Sequence, residues 1–377
     1  MSNIDLRRFV DIDIIAKNII YNDATRDTAV LLVKGSSEKE LLLAEHAVIS
    51  SNDVPGANAA NVQKRINIFF SNGGKKLLLK TYSSIESVKT WIKTNDEYVV
   101  ICNVDASDDS SDAVALATYF QGQSDFYGIK EKIFVARTDK SSDYKKYSLI
   151  KNLAVKVSSY HGAELTIAAY LTNMNLDGIN SVFDYCYTEE VKTFGPAAED
   201  PSDASVVIFD AENITDEEFE TIQSGNMNVD VVLSNSIRDV GGNLSNGADI
   251  VNTFVKIVLH QTLTATLLAL LTEKIKDSTG TSKIYSTIVA ELERYRMNGY
   301  LTTDKVWTKG DMNVTVNGQT FKVIDNNTPL NDGYYVKVLP LSALTEQDKA
   351  TRSAPPIYVF IADQYGIRKI TINGEVI

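Results

Sequence analysis

Hydrophobic positions along this chain change their spacing twice, and the changes divide it into three stretches. Near the start, Val10, Ile12 and Ile14 alternate with Asp11 and Asp13, directly after Phe9, which predicts one amphipathic strand. A lone strand with one apolar face must pair with some sheet edge, in its own chain or in another. From residue 28 the pattern becomes an alternation of apolar runs and amphipathic segments. Strands are predicted at 28–35, 77–82, 98–104, 132–139, 153–159, 182–187 and 226–234. Helices are predicted at 39–50, 57–74, 84–94, 112–123, 142–152 and at the start of 162–180. Within 57–74, Ile66, Phe69 and Phe70 share a side, and Asn72-Gly73-Gly74 supplies the stop. Strands separated by helices of this length imply a mostly parallel, helix-covered sheet.

The last third follows a different pattern. A helix apolar almost all round is predicted from about 248 to 272, after a 241–247 loop offering Ser245 or Asn246 as a cap. A second helix over 283–298 aligns Ile284, Ile288, Leu292 and Tyr295 and stops at Gly299. Asn317-Gly318 marks a hairpin over 314–323, followed by a strand at 333–340 and a short polar helix at 344–352 capped by Thr345. Residues 357–362 and 367–372 are predicted to close the chain as a hairpin. The fold class is therefore α/β and α+β. It comprises an arm at 1–24, an outer helix-covered sheet unit at 25–232, and a C-terminal α+β assembly unit at 233–377. The 248–272 helix is expected either at an interface or fully inside the C-terminal unit.

Composition narrows the function classes. With 377 residues, 44% apolar and 23% charged, the chain can bury a sizeable core, which disfavours wholesale disorder. A net charge of −12 disfavours direct binding to nucleic acid, which needs a basic face against phosphate. Nine acidic residues and no Lys or Arg between Pro196 and Glu220 read first as a solvated face, and otherwise as a dock for a basic partner. The apolar stretch 250–271 is interrupted by Lys256, His260 and Gln261, so no membrane insertion is expected. Two cysteines, Cys102 and Cys186, both in predicted strands, cannot staple a chain of this size.

Catalytic chemistry is hard to find. Neither phosphate-cradling glycine motif occurs, nor does a G-x-S-x-G elbow, and the three histidines are scattered. One oxygen-rich cluster follows the 98–104 strand: Asp105, Ser107, Asp108, Asp109 and Asp112. Strand ends of this kind bind ligands in open α/β sheets, and Asp105, Ser107 and Asp109 are candidate Mg²⁺ or Ca²⁺ ligands. The plainer reading is a loop whose acids favour the start of the next helix. No cofactor is expected.

Several segments together resemble contractile tail sheath proteins of bacteriophages and related contractile injection particles. They are the aromatic pair, Asn-Gly-Gly and strand at 69–82, the closing segment from Arg352-Ser-Ala-Pro355-Pro356-Ile357 to Gly374, and in order between them 168–182, 241–252 and Asn298-Gly299-Tyr300-Leu301. The strand Leu77–Tyr82 departs from the family in its basic residue, Lys80. The resemblance implies a structural, non-enzymatic subunit. Such subunits polymerise as stacked hexameric rings around a tail tube and contract without nucleotide hydrolysis. It further implies baseplate and tail terminator proteins as partners, location in the virion after assembly in the host cytoplasm, and strand exchange between subunits. Candidate inter-subunit residues are then Phe9, Val10, Ile12 and Ile14 in the arm, with Ile357, Val359, Ile361, Ile367, Ile370 and Ile372 at the end. A metal-dependent α/β enzyme, or a non-contractile baseplate or adhesin component, is the alternative.

Overall fold

A computed structural model describes residues 13–14, 16–17, 26–95, 98–104, 111–122, 132–138, 144–148, 150–158, 162–186, 214–233, 236–272, 277–316, 318–350 and 354–363. In chain order the first elements are β1 (Asp13–Ile14), β2 (Ala16–Lys17), β3 (Thr28–Lys34), β4 (Lys39–Leu43), α1 (Ala59–Ser71), β5 (Lys76–Tyr82), α2 (Ile85–Thr94) and β6 (Val100–Val104). Then come α3 (Ser111–Gly122), β7 (Ile133–Thr138), α4 (Tyr144–Tyr147), β8 (Leu153–Val157), α5 (Glu164–Asn173), α6 (Asp216–Ser224), β9 (Asn228–Leu233) and β10 (Ser236–Val240). The last third holds α7 (Ile250–Thr272), α8 (Asp277–Met297), β11 (Lys305–Val306), β12 (Met312–Val316), β13 (Gln319–Ile324), β14 (Pro329–Leu330), β15 (Tyr334–Val338), α9 (Glu346–Ala350) and β16 (Ile357–Ile361).

The main sheet has the order β10-β9-β8-β7-β6-β3-β5-β4. Its interior pairs are parallel, and only the two edge strands, β4 and β10, run antiparallel to their neighbours. Strand β3 shows why both faces are covered. Ala29, Leu31 and Val33 point into one core, Val30 and Leu32 into the other, and all five are buried. The first core takes α1, α5, α7 and α8; the second takes α2, α3 and α6. The stop after α1 follows from its residues. The amides of Asn72, Gly73 and Gly74 donate to the carbonyls of Ile68, Phe70 and Phe69, with Gly73 at a φ of 87°. A Cβ on Gly74 would lie 2.2 Å from the Phe69 ring, so the aromatic residue and the second glycine require each other.

Several expectations are corrected. Residues 39–43, expected in a helix, form edge strand β4. An apolar triplet has no period of its own, and here Leu43 reaches the core while Glu40, on the other face, binds Lys80 Nζ and Trp91 Nε1 at 3.1 and 2.8 Å. Residues 182–186 are irregular rather than a strand, because the amides of Ser181 and Val182 donate to the Asn298 carbonyl instead of to a ladder. Helix α8 starts at Asp277, ahead of the expected 283. The cap of α7 is Asp249, whose Oδ1 accepts from the Asn252 amide at 2.7 Å, and neither Ser245 nor Asn246. Strand Ile357–Ile361 pairs with β15, and its expected hairpin partner, 367–372, lies outside the described residues. Helix α7 is enclosed: Val251, Phe254, Val255, Val258, Leu259 and Leu263 are all buried, and its described residues show no exposed apolar stripe. It is a core helix.

Strand β10 was hidden by polar residues. Lys156 on β8 is fully buried, with Nζ 2.6 Å from Asp239 on β10 and 2.5 Å from Asp230 on β9. This trio ties β10 into the sheet, which thereby runs one strand past residue 232. Removing one member of a buried ion set strands the other charges. We therefore expect Lys156→Ala to lose about 3–5 kcal/mol in urea unfolding, and Lys156→Met with Asp239→Leu to recover much of that loss.

Candidate assembly surfaces

Strands β15 and β16 form a separate antiparallel ribbon, with Tyr334 opposite Ile361 and Val338 opposite Ile357. Alternation along the ribbon supplies two apolar faces. Val336 and Val359, flanked by Tyr334, Ile357 and Ile361, pack on the main core. Tyr335, Tyr358 and Phe360 turn the other way onto a small core with Trp307, Val323, Ile324 and Leu330. The rings of Phe360 and Trp307 meet edge to face at 4.8 Å. Both faces of the ribbon are therefore covered by the subunit itself. Among the described residues the ribbon has two strands, so a further strand would join it through main-chain donors and acceptors at an edge.

The structure distributes the expected inter-subunit residues unevenly. Ile357, Val359 and Ile361 sit together on the inward face of β16, so their side chains serve the subunit's own core. Ile14 lies in β1, which forms a two-residue antiparallel pair with β2 and is placed beside β16 of the same chain. Phe9, Val10 and Ile12 at one end, and Ile367, Ile370 and Ile372 at the other, lie outside the described residues, as do Asp105, Ser107 and Asp109. Asp112, the nearest described acid of that cluster, is buried, accepts from the Tyr82 hydroxyl at 2.7 Å and pairs with Lys34 at 3.1 Å. Among the described residues no three His, Cys, Asp or Glu side chains gather as a metal site. No described helix is long and apolar enough to cross a membrane.

Sequence reasoning missed the residues that hold the ribbon in place. The Tyr334 hydroxyl donates to Glu293 of α8 at 2.5 Å; burial, and the carboxylate it bonds, raise its pKa well above that of an ordinary tyrosine. At the same end of the ribbon the Thr302 amide donates to the Ala362 carbonyl, the Ala362 amide donates to Gly333, and Leu301 bridges Asp363. Asn298 joins these to the loop after α5. Its buried amide group donates to the Leu176 carbonyl at 2.9 Å, its Oδ1 accepts from the Tyr300 amide, and its own carbonyl takes Ser181 and Val182. The Asn-Gly-Tyr-Leu string was the only signal in the sequence, and it carried no chemistry until the fold brought residues 176–182 against it. On the surface here, Ile179 is 79% exposed and Phe183 65%, next to half-exposed Met297. Beside them Val182, Asp184, Asp249 and Tyr300 line a shallow groove.

Residues 251–376 match the family model described as E217 tail sheath protein gp31-like, C-terminal domain. That span contains α7, α8, the small core and the ribbon. No curated protein matches the chain by sequence. Among solved structures, the contracted helical sheath of the anti-feeding prophage has 14% identity and a TM-score of 0.64, over 97% of this chain and 99% of that one. A chain of the six-fold symmetrised anti-feeding prophage baseplate has 13% identity and a TM-score of 0.62, over 96% and 95%. The contracted sheath complex of PVC, an extracellular contractile injection system, has 12% identity and a TM-score of 0.58, over 95% and 94%. The chain thus has the fold of contractile-sheath proteins along nearly its whole length, as the resemblance implied.

Because Phe360 closes the small core under the ribbon, Phe360→Ala should cost about 3–5 kcal/mol in chemical denaturation. The loss should fall first on β16, seen as faster amide exchange at 357–361 than in β3.

Proposed function

We propose that this chain is the structural subunit of a contractile sheath in a phage tail or a contractile injection particle. In this reading subunits stack as hexameric rings around a tail tube, join baseplate and terminator proteins at the ends, and contract without nucleotide hydrolysis. The particle is assembled in the host cytoplasm, and the subunit is not an enzyme. The observation that carries the proposal is the match of 251–376 to a tail-sheath C-terminal domain, over the segment that builds the ribbon. Similarity of fold to sheath chains over more than nine-tenths of the sequence supports it. A second reading, a baseplate component, is favoured by the similarity to the anti-feeding prophage baseplate chain.

The joint between subunits would be made by strand addition. The ribbon is covered on both faces, so a partner gains main-chain hydrogen bonds along an edge without disturbing packed side chains. The arm, 1–24, brings the strand: Val10, Ile12 and Ile14 give it one apolar face, and a two- to five-residue strand is marginal until it finds a host. The eight residues 18–25, between β2 and the anchored Arg26, would span at most about 28 Å when extended, enough to reach a neighbouring edge. Within the subunit β1 lies beside β16, the strand proposed to host a neighbour's arm in the assembly. The body divides its work between an outer α/β unit, 25–232, and an assembly unit, 233–377.

Negative-stain microscopy of the purified chain should show long striated tubes. Deleting residues 1–16 should leave a folded, soluble protein that builds none, and Ile12→Pro should behave alike, because proline removes a ladder donor. Arm-deleted protein that still forms regular tubes would contradict the strand-exchange mechanism; short closed rings from the intact chain would favour the baseplate reading.

A further inference from the structure

The arm joins the body at Arg26, and the structure shows where that root is fastened. The Arg26 guanidinium donates to Asp177 Oδ2 at 2.8 Å. The other oxygen of the same carboxylate, Oδ1, accepts from Arg294 of α8, which is itself braced by Glu291 at 2.9 Å. The next residue, Asp27, pairs with Lys76 of β5 at 2.9 Å. Asp177 sits on a fixed loop: its amide donates to Asn175 Oδ1, the neighbouring Leu176 carbonyl is held by Asn298, and the Ser181 hydroxyl donates to Gly178. Seven residues past Arg294, Leu301 bridges Asp363, the last described residue before the C-terminal segment. Both ends of the chain are thus rooted on the end of one helix.

We infer that Asp177 is a positioning residue for assembly: it seats the root of the N-terminal arm on the same end of α8 that carries the root of the C-terminal segment. The inference rests on the sheath reading above. Its physics is that of one carboxylate shared by two guanidiniums, a charge-assisted arrangement with geometric specificity. Burial alone would push the Asp177 carboxyl up, but hydrogen bonds and charge from Arg294 and Arg26 outweigh it and hold it below the usual carboxylate range. All three side chains remain partly exposed, so the contact adds little to folding. Its consequence is directional. A strand that must find an edge on a neighbour gains when the chain leading to it leaves the body along a set line. Because both roots meet at 294–301, load on either extension reaches the same element.

The test uses the full-length chain, wild type and Asp177→Asn, an isostere that keeps the shape but loses the charge and one acceptor oxygen. In the unassembled protein, trypsin can cut after Arg26 only once the guanidinium leaves Asp177. Cleavage there, followed by mass spectrometry, should be about 5- to 10-fold faster in the variant at low salt, the gap narrowing near 0.5 M NaCl as the pairs are screened. The melting temperature should move by no more than about 2 °C. Regular tubes counted by negative stain should fall at least about threefold, with Asp177→Glu restoring part of the loss. Equal cleavage rates would overturn the clamp, and faster cleavage with unchanged tubes would overturn the positioning role. A wild-type chain that builds no tubes would overturn the sheath reading and the assembly role together, whatever the cleavage rates. If Asp177→Asn unfolds, Arg26→Gln, which leaves Arg294 and the loop intact, repeats the tube count, and unchanged tubes there overturn the inference.

Discussion

Helix α7 is apolar around nearly its whole circumference, and a helix of that kind must be covered on every side. Much of the fold can be understood as that cover. One face of the main sheet and helices α1 and α5 share its core with α8 and the inward face of the β15–β16 ribbon. Its polar residues comply as well: the hydroxyls of Thr264 and Thr266 bond back to the carbonyls of His260 and Thr262 on the same helix. Because the sheet and the ribbon pack into one core, there is no separate apolar interface between them to part.

The sequence was most legible where burial is complete and periodic. The strands at 28–34, 76–82 and 133–138 are apolar on both faces, and nothing else of that length suits such a run. Legibility failed where a distant partner decides. The apolar triplet 41–43 fits helix and strand alike, and the pairing with β5 settles it. Strand β10 carries Arg238 and Asp239, which read as loop until Lys156 is seen to need a buried counter-charge. Residues 182–186 carry strand-forming side chains, yet their first amides are taken by Asn298. Candidate site residues fared by the same rule. Alternation in 357–361 correctly marks a strand, but it cannot say that Val359 faces the subunit's own core. The side-chain contacts of Asp177 with Arg294 and of Asn298 with Leu176 each join residues more than a hundred positions apart.

Net charge bears on how copies of this chain could join. At −12, like copies repel over a Debye length of about 10 Å at ordinary salt. A joint made of backbone hydrogen bonds brings no further like charges together, and in the arm proposed to make it the sequence alternates Val10, Ile12 and Ile14 with Asp11 and Asp13. The same economy explains why both ribbon faces can be apolar and already filled. In the proposed joint, assembly demands an edge and a tethered strand and leaves the folded core untouched.

The central claim, that the edge of β16 is completed by another copy, is tested most directly by high-resolution electron cryomicroscopy of tubes formed from the full-length chain. The account predicts an added strand along Ile357–Ile361 whose side chains fit residues 10–14, continuous through its linker with a neighbouring subunit. Density that traces that strand back to the same subunit throughout the lattice, or a bare β16 edge, would contradict it.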